Sequence, residues 1–196
     1  MREELLGLIP EFNLIEDADL REKCIQTWLV AMEEYGWTPQ DLLRLPFTLL
    51  IDPCPANFIE HVRAVTLTAL GVAEAMREIY GDHLPINMDY LLAGALLHDI
   101  GKLVEYEFRP DGLAAQSRTG TLLRHPFTGM HLAARFGLPA EVLHMIAVHA
   151  AEGDKVKRSI EATIINHADF INFESLKRAQ KGSGSAARLK NTDFKG

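Results

Sequence analysis

At 196 residues, 47% of them hydrophobic, the chain is long enough for one domain with a sizeable core, and no apolar run approaches the roughly 20 residues that span a bilayer. The formal net charge of −7 understates how acidic the body is, because Lys177, Arg178, Lys181, Arg188, Lys190 and Lys195 crowd the C-terminal end against a single acid, Asp193; such a body repels phosphate backbones and argues against a general nucleic-acid binder. Cys24 and Cys54 make no disulfide framework, and the acidic start is followed by no long apolar stretch, so a soluble protein of the reducing cytoplasm is expected.

Helix signals are dense and strand signals sparse, which predicts an all-α fold. Residues 18–35 put Leu20, Cys24, Trp28, Met32 and Tyr35 on one helical face, with Gly36 as the stop. Thr38 caps a second helix with Pro39 at its first position and Asp41 in its first turn, running to Leu45 before Pro46. Pro53-Cys54-Pro55 then breaks the chain, separating an N-terminal helical segment, residues 1–56, from a second unit, residues 57–180. Asn57 and Glu60 read as a capping box opening a long helix toward Tyr80, with Val62, Leu67, Leu70, Val72, Ala73 and Met76 as its apolar surface and Gly81 as its stop. From Met88 to Leu97 the sequence is apolar nearly all round, which marks a helix buried at the centre of the fold with His98 and Asp99 at its end.

Pro110-Asp111-Gly112 is a turn signal, and the stretch to Leu123 reads as a loop with at most short extended pieces. Further helices are expected from Pro126 to Phe136, stopped by Gly137, from Pro139 to Ala151, stopped by Gly153, and from a Ser159 cap to the neighbourhood of Gln180. Residues 181–196 have linker composition and read as a flexible basic tail.

Ionisable residues at the end of an apolar helix need partners, because burying an unpaired charge or imidazole is expensive. Taken alone, His98 and Asp99 are explained as a hydrogen-bonded structural pair. Their company changes that reading: His61 lies in the first turns of one helix, His125 just before another, His149 near the end of a third and Asp169 within a fourth, each beside apolar neighbours. Four histidines and two aspartates on five segments are the ligand set that two divalent metals require. Imidazole nitrogen and carboxylate oxygen suit iron, manganese, zinc or cobalt far better than calcium.

The stretch Gly94-Ala-Leu-Leu-His-Asp-Ile-Gly-Lys102 is preceded by Glu60-His61-Val62-Arg63 and followed by Arg124-His125-Pro126 with Gly129, Ala147-Val148-His149 and His167-Ala168-Asp169. In order and spacing this resembles the HD-domain metal-dependent phosphohydrolases over residues 57–173, and within them the branch whose motif reads His-Asp-Ile-Gly-Lys. The resemblance implies an all-α HD-domain bundle carrying residues 1–56 as an N-terminal extension. It implies His61, His98, Asp99 and Asp169 as ligands of a first metal, His125 and His149 at the extra positions of the two-metal branch, and Asp99 as the bridge. The cofactors implied are two divalent transition metal ions, iron or manganese first, with zinc, cobalt or nickel as alternatives. The activity implied is hydrolysis of a phosphomonoester or phosphodiester of a small molecule, a nucleotide first among these, by a metal-activated hydroxide; two ions about 3.5–4 Å apart offset the charge that builds on the phosphoryl oxygens.

Lys102 falls four residues after His98, about 40° round a helix, so its ammonium can face the same cavity and bind a phosphate oxygen; the plainer alternative is a solvated lysine at a helix C-terminus. With Asp99 it forms the catalytic pair, and Gly101 lets backbone come close. His83, His131, His144 and His167 point elsewhere and are left out of the site. Arg118 and Arg124 flank the loop before His125 and can clamp a phosphate, although exposed loop arginines are common; Glu152 and Lys155 are candidates for the pocket rim.

Two rival readings share this fold: a diiron oxygenase, and a sensor or interaction module with eroded ligands, against which stands the completeness of the ligand set. The stretch His149-Ala-Ala-Glu-Gly-Asp154 lacks the second histidine and Gly-Tyr-Pro signature of the cyclic-dinucleotide branch. The ribonuclease branch brings an RNA-binding domain for which the acidic body offers no substitute. The expected partner is therefore a small-molecule phosphoester, with neither a membrane nor a nucleic acid. Trp28, Met32 and Tyr35 form an apolar stripe that serves packing on the parent domain, a cover for the cavity or a homo-oligomer interface.

Overall fold

The computed structural model describes residues 1–189, with side chains as far as residue 180. It opens with α1 (Arg2–Leu8) and a 3-10 turn, Pro10–Leu14, neither announced by the sequence, since seven residues with no side-chain cap carry too little periodicity to stand out. Asp17 opens α2 (Ala18–Tyr35) by accepting from the N–H groups of Asp19 and Leu20, and Gly36 closes it at φ 73°, a conformation glycine adopts without a Cβ penalty. A capping box of Thr38 and Asp41 starts α3 (Pro39–Arg44), and a second, of Asn57 and Glu60, starts α4 (Phe58–Tyr80). The predicted boundaries of these helices hold.

The buried face of α4 is Phe58, Ile59, His61, Val62, Val65, Thr66, Ala69 and Ala73. Leu67 and Val72, expected on that apolar surface, are exposed at 48% and 39%. Leu67 lies about 140° round from Val62, so a single inward stripe leaves it outside. Next comes α5 (Met88–Leu97), whose Leu91, Ala93, Ala95, Leu96 and Leu97 are fully buried beneath α2, α4 and two helices described below. This is the central element its sequence promised.

After α5 the chain makes a tight turn into α6 (Lys102–Glu105), then a hairpin of β1 (Tyr106–Phe108) and β2 (Ala114–Gln116), antiparallel with Glu107 opposite Ala115. Beyond the hairpin, Ser117 caps a short helix, α7 (Arg118–Leu122), which the loop reading missed. The predicted remainder follows as α8 (His125–Ala134), α9 (Ala140–Val148) and α10 (Ile160–Leu189), with Ala151–Gly153 as a separate 3-10 turn rather than the end of α9. Backbone helix thus continues past the boundary expected at residue 180, in keeping with the helix-forming run Ala186-Ala187-Arg188-Leu189. Residues 190–196 of the predicted tail lie outside the described residues.

The N-terminal segment does not stand apart from the rest. Leu5, Ile9, Phe12, Ile15, Trp28 and Leu42 belong to the same buried cluster as the faces of α4, α5 and α9. Trp28 Nε1 donates to Leu96 O at 3.0 Å, and Trp37 Nε1 donates to Leu103 O at 2.7 Å, so α2 and the residue just past its Gly36 stop are tied to α5 and α6, the helices on either side of the turn that carries His98 and Asp99. Trp28 and Met32 are consumed by this packing, while Tyr35, at the helix end, is half exposed. Among the described residues no helix is long and apolar enough to cross a membrane.

Candidate metal centre

Three imidazoles are oriented by the same physical device. His98 Nδ1 donates to Ala95 O at 2.6 Å, one turn back in α5, and His149 Nδ1 donates to Ile146 O at 2.8 Å, one turn back in α9. His125 Nδ1 donates to Glu105 Oε2 at 2.7 Å. Because a carbonyl or carboxylate oxygen can only accept, each bond puts the hydrogen of a neutral ring on Nδ1 and leaves a lone pair on Nε2.

Those lone pairs converge on one carboxylate. Asp99 is 1% exposed; its Oδ2 lies 3.3 Å from His61 Nε2 and 3.4 Å from His98 Nε2, and its Oδ1 lies 3.2 Å from His125 Nε2 and 3.6 Å from His149 Nε2. The rings also face one another, His61 Nε2 to His98 Nε2 at 3.4 Å and His125 Nε2 to His149 Nε2 at 3.2 Å. Asp169 Oδ1 sits 3.1 Å from His61 Nε2. The six residues singled out from sequence are therefore brought together, as His61, His98 and Asp99 on one side and Asp99, His125 and His149 on the other, with Asp169 beside the first group.

This arrangement fits a divalent cation. Among the described residues, Asp99 Oδ1 and His61 Nδ1 are buried with no hydrogen-bond partner, although His125 Nε2 approaches the Asp99 oxygen closely. An acceptor facing acceptors at that distance is repulsive unless a positive charge lies between them, and nitrogen with carboxylate oxygen is the donor set of a divalent transition metal.

The electrostatics agree. Burial favours a neutral Asp99, but the Lys102 ammonium outweighs it and holds the carboxyl well below the usual range. Burial likewise opposes ionisation of Asp169, yet the hydrogen bond with His61 prevails and brings it down to about 2. His61 is driven the other way: burial lowers it, and the Asp169 and Asp99 carboxylates raise it by more, so a metal at its Nε2 would have to displace a proton. Burial dominates at His125 and keeps that ring neutral.

Lys102 is 7% exposed, with Nζ 2.5 Å from Asp99 Oδ2 and 2.6 Å from Phe47 O. It opens α6 rather than closing α5, so the reading as a solvated lysine on a C-terminal dipole does not hold. Burial disfavours its charge, but Asp99 raises its pKa on balance and keeps the ammonium. Gly101 does admit close backbone, and the backbone it admits is that of α8: a Cβ there would lie 2.1 Å from His125 O and 2.6 Å from Gly129 N.

The centre forms the floor of a cavity of about 430 Å³. Lys102, Glu105, Gln116, Arg124 and Glu152 supply its polar wall, and Phe47, Leu49, Leu50, Phe170 and Phe173 its apolar one. Arg124, half exposed, lies 3.5 Å from both Glu105 Oε1 and Glu152 Oε1. Arg118 borders a different groove with Tyr35 and Trp37, and Lys155 is exposed outside the lining. His83, His131 and His167 are exposed, and His144 Nε2 accepts from Ser159 N, in keeping with their omission from the site.

Sequence reasoning missed Glu105, which holds His125, and Phe47, which stacks on His61 at 4.4 Å between ring centres. The spacing Lys102-Leu-Val-Glu105 places an acid one helical turn past the motif and was a usable signal. Phe47 sits in an irregular stretch 14 residues before His61, where no periodicity points to it.

The family profile for the HD domain matches residues 58–172. The chain is 37% identical over 114 residues to a dihydroneopterin 2′,3′-cyclic phosphate phosphodiesterase of Methanocaldococcus jannaschii, a match covering 58% of this chain and 45% of that protein. It is 36% identical over 77 residues to a ribonuclease Y of Desulforudis audaxviator, 39% of this chain and 12% of the relative, and 28% identical over 116 residues to one of Chloroflexus aurantiacus, 59% and 18% respectively. The matches thus span less than half the length of these curated relatives, and no solved structure matches the chain at a significant level. Since the profile takes in more than half of the chain and spans all six converging residues, this protein belongs to the HD-domain family.

Proposed function

We propose that the chain is a metal-dependent phosphohydrolase of the His-Asp-Ile-Gly-Lys branch, with two divalent ions shared through Asp99, that hydrolyses a small-molecule phosphoester. The observation that carries this reading is the unpartnered Asp99 Oδ1, facing the Nε2 lone pairs of His125 and His149, whose hydrogens are committed elsewhere. His61, His98, Asp99 and Asp169 would hold one ion and Asp99, His125 and His149 the other, with iron or manganese the best match to these donors. Bound by these residues, such ions would supply a nucleophilic water at neutral pH and offset charge on phosphoryl oxygens.

The protein's own groups do the rest. Lys102 spends two of its three N–H donors on Asp99 and Phe47, leaving the third for a phosphoryl oxygen at the cavity floor. Arg124 offers a forked donor at the rim. Phe47, Phe170 and Phe173 supply an apolar wall on which a planar ring can lie while bulk water is displaced. The volume suits a nucleotide-sized molecule, the net charge of −7 disfavours an RNA strand, and the likeness to a 2′,3′-cyclic phosphate phosphodiesterase supports a cyclic phosphodiester among the candidates.

The test is a panel of 2′,3′-cyclic, 3′,5′-cyclic and linear nucleotides with the manganese- or iron-loaded chain. Metal-dependent ring opening or phosphate release supports the proposal. A metal-loaded protein inert on the whole panel contradicts it, and substrate-dependent oxygen uptake would assign the fold to the oxygenase class instead.

A further inference from the structure

We infer that Glu105 is a positioning residue that couples the His125 half of the metal centre to the substrate-facing wall of the cavity, an inference that rests on the metal-centre reading above. Glu105 is 2% exposed at the end of α6. Its Oε2 accepts twice from one residue, from His125 N and His125 Nδ1, each at 2.7 Å. Its Oε1 faces the opposite way, 3.4 Å from Gln116 Nε2 and 3.5 Å from Arg124 Nε, both in the cavity lining. One oxygen therefore serves a metal ligand and the other serves groups placed to meet substrate.

The backbone behind the carboxylate is pinned as well. Ser117 N donates to Glu105 O at 2.8 Å, Ser117 Oγ donates to Val104 O at 2.8 Å, and a Cβ at Gly120 would lie 2.3 Å from Glu105 O. The hairpin and α7 thus close on the end of α6 and leave the side chain little freedom to move.

Four donors converge on this group, and only a carboxylate has an acceptor for each side. A glutamine of the same shape has one accepting oxygen and one donating NH₂, so it must fail one side. If the NH₂ faces His125, the ring loses its Nδ1–H acceptor, moves its hydrogen to Nε2 and can no longer ligate through that atom. If it faces the cavity, Arg124 and Gln116 meet a donor and are released.

The experiment titrates Mn²⁺ into metal-free chain against a chelating dye, for wild type and Glu105→Gln. Wild type should show two sites; the variant should keep one and weaken the other by about 10- to 100-fold. At saturating metal, its KM for a hydrolysed phosphoester should rise by a larger factor than kcat falls. Two unchanged affinities in Glu105→Gln would overturn the inference and leave the metal centre standing, whereas wild type that binds no metal would overturn both. Should the variant not fold, wild type alone decides: in zinc-loaded chain with ¹⁵N-labelled histidine, His125 must show a protonated, slowly exchanging Nδ1, and a bare Nδ1 overturns the inference.

Discussion

Replacing Gly101 by alanine tests how the metal centre is assembled, because Gly101 is where α6 and α8 meet. Its φ of −65° is ordinary for any residue, so the requirement is for space alone. An added Cβ would lie 2.1 Å from His125 O, 2.6 Å from Gly129 N and 2.6 Å from Thr128 Oγ1. The first two are backbone atoms of α8 and cannot rotate away, so relief to an ordinary contact near 3.5 Å must move the start of that helix by more than an ångström. Such overpacking costs about 3 kcal/mol, the upper end of the usual range. At about 2–4 °C per kcal/mol for a chain of this size, the melting temperature should fall by about 6–12 °C. The same shift carries His125 Nε2 away from Asp99 Oδ1, now 3.2 Å distant, so Gly101→Ala should bind less metal than wild type. Thermal melts of the metal-free proteins and metal titration of both check the two parts separately. A variant that melts within about 2 °C of wild type and binds metal equally would refute the packing argument.

Further predictions separate residues that sequence alone treats alike. Arg124→Ala should raise KM for a phosphoester about 10-fold, the low end for losing a charged hydrogen bond at a half-exposed site, whereas Arg118→Ala, in another groove, should leave KM unchanged; equal effects would contradict the cavity assignment. Burial pushes the Cys24 thiol up to about 12, so iodoacetamide at pH 8 should modify Cys54 in the native chain and reach Cys24 only after unfolding; native labelling of Cys24 would contradict its burial. In metal-free protein the lowered carboxyls of Asp99 and Asp169 stabilise the fold above the ordinary range near pH 4, and that contribution is lost as pH falls through their folded values, about 2 for Asp169. The raised His61 works in reverse, its contribution present below about pH 6.5 and lost as pH rises. The urea midpoint of chelated protein should therefore drop between pH 5 and 2, less so in Asp169→Asn, and a midpoint that climbs over that interval would contradict the sign of both shifts.

Much of this was legible because the deciding physics is local. The capping boxes at Thr38–Asp41 and Asn57–Glu60 fix helix starts through side-chain bonds spanning three residues, and the apolar run of α5 announces its central burial. The six converging residues were readable because each interrupts an apolar segment that has no other reason to carry a polar group. What stayed hidden depends on contacts between distant segments. Phe47 reaches His61 and Lys102 only because the N-terminal helices pack against α4 and α6, and Glu105 matters only because α7 and the hairpin press α6 toward His125. Leu67 and Val72 misled because an apolar residue near a stripe is not always in it.

The central claim is that Asp99 joins two groups of imidazoles around divalent ions, and elemental analysis of the chain purified anaerobically without added metal tests it most directly. The account predicts about two iron or manganese ions per chain, falling sharply in His98→Ala. A wild-type chain that stays metal-free even after reconstitution, or a His98→Ala variant with undiminished metal, would contradict it.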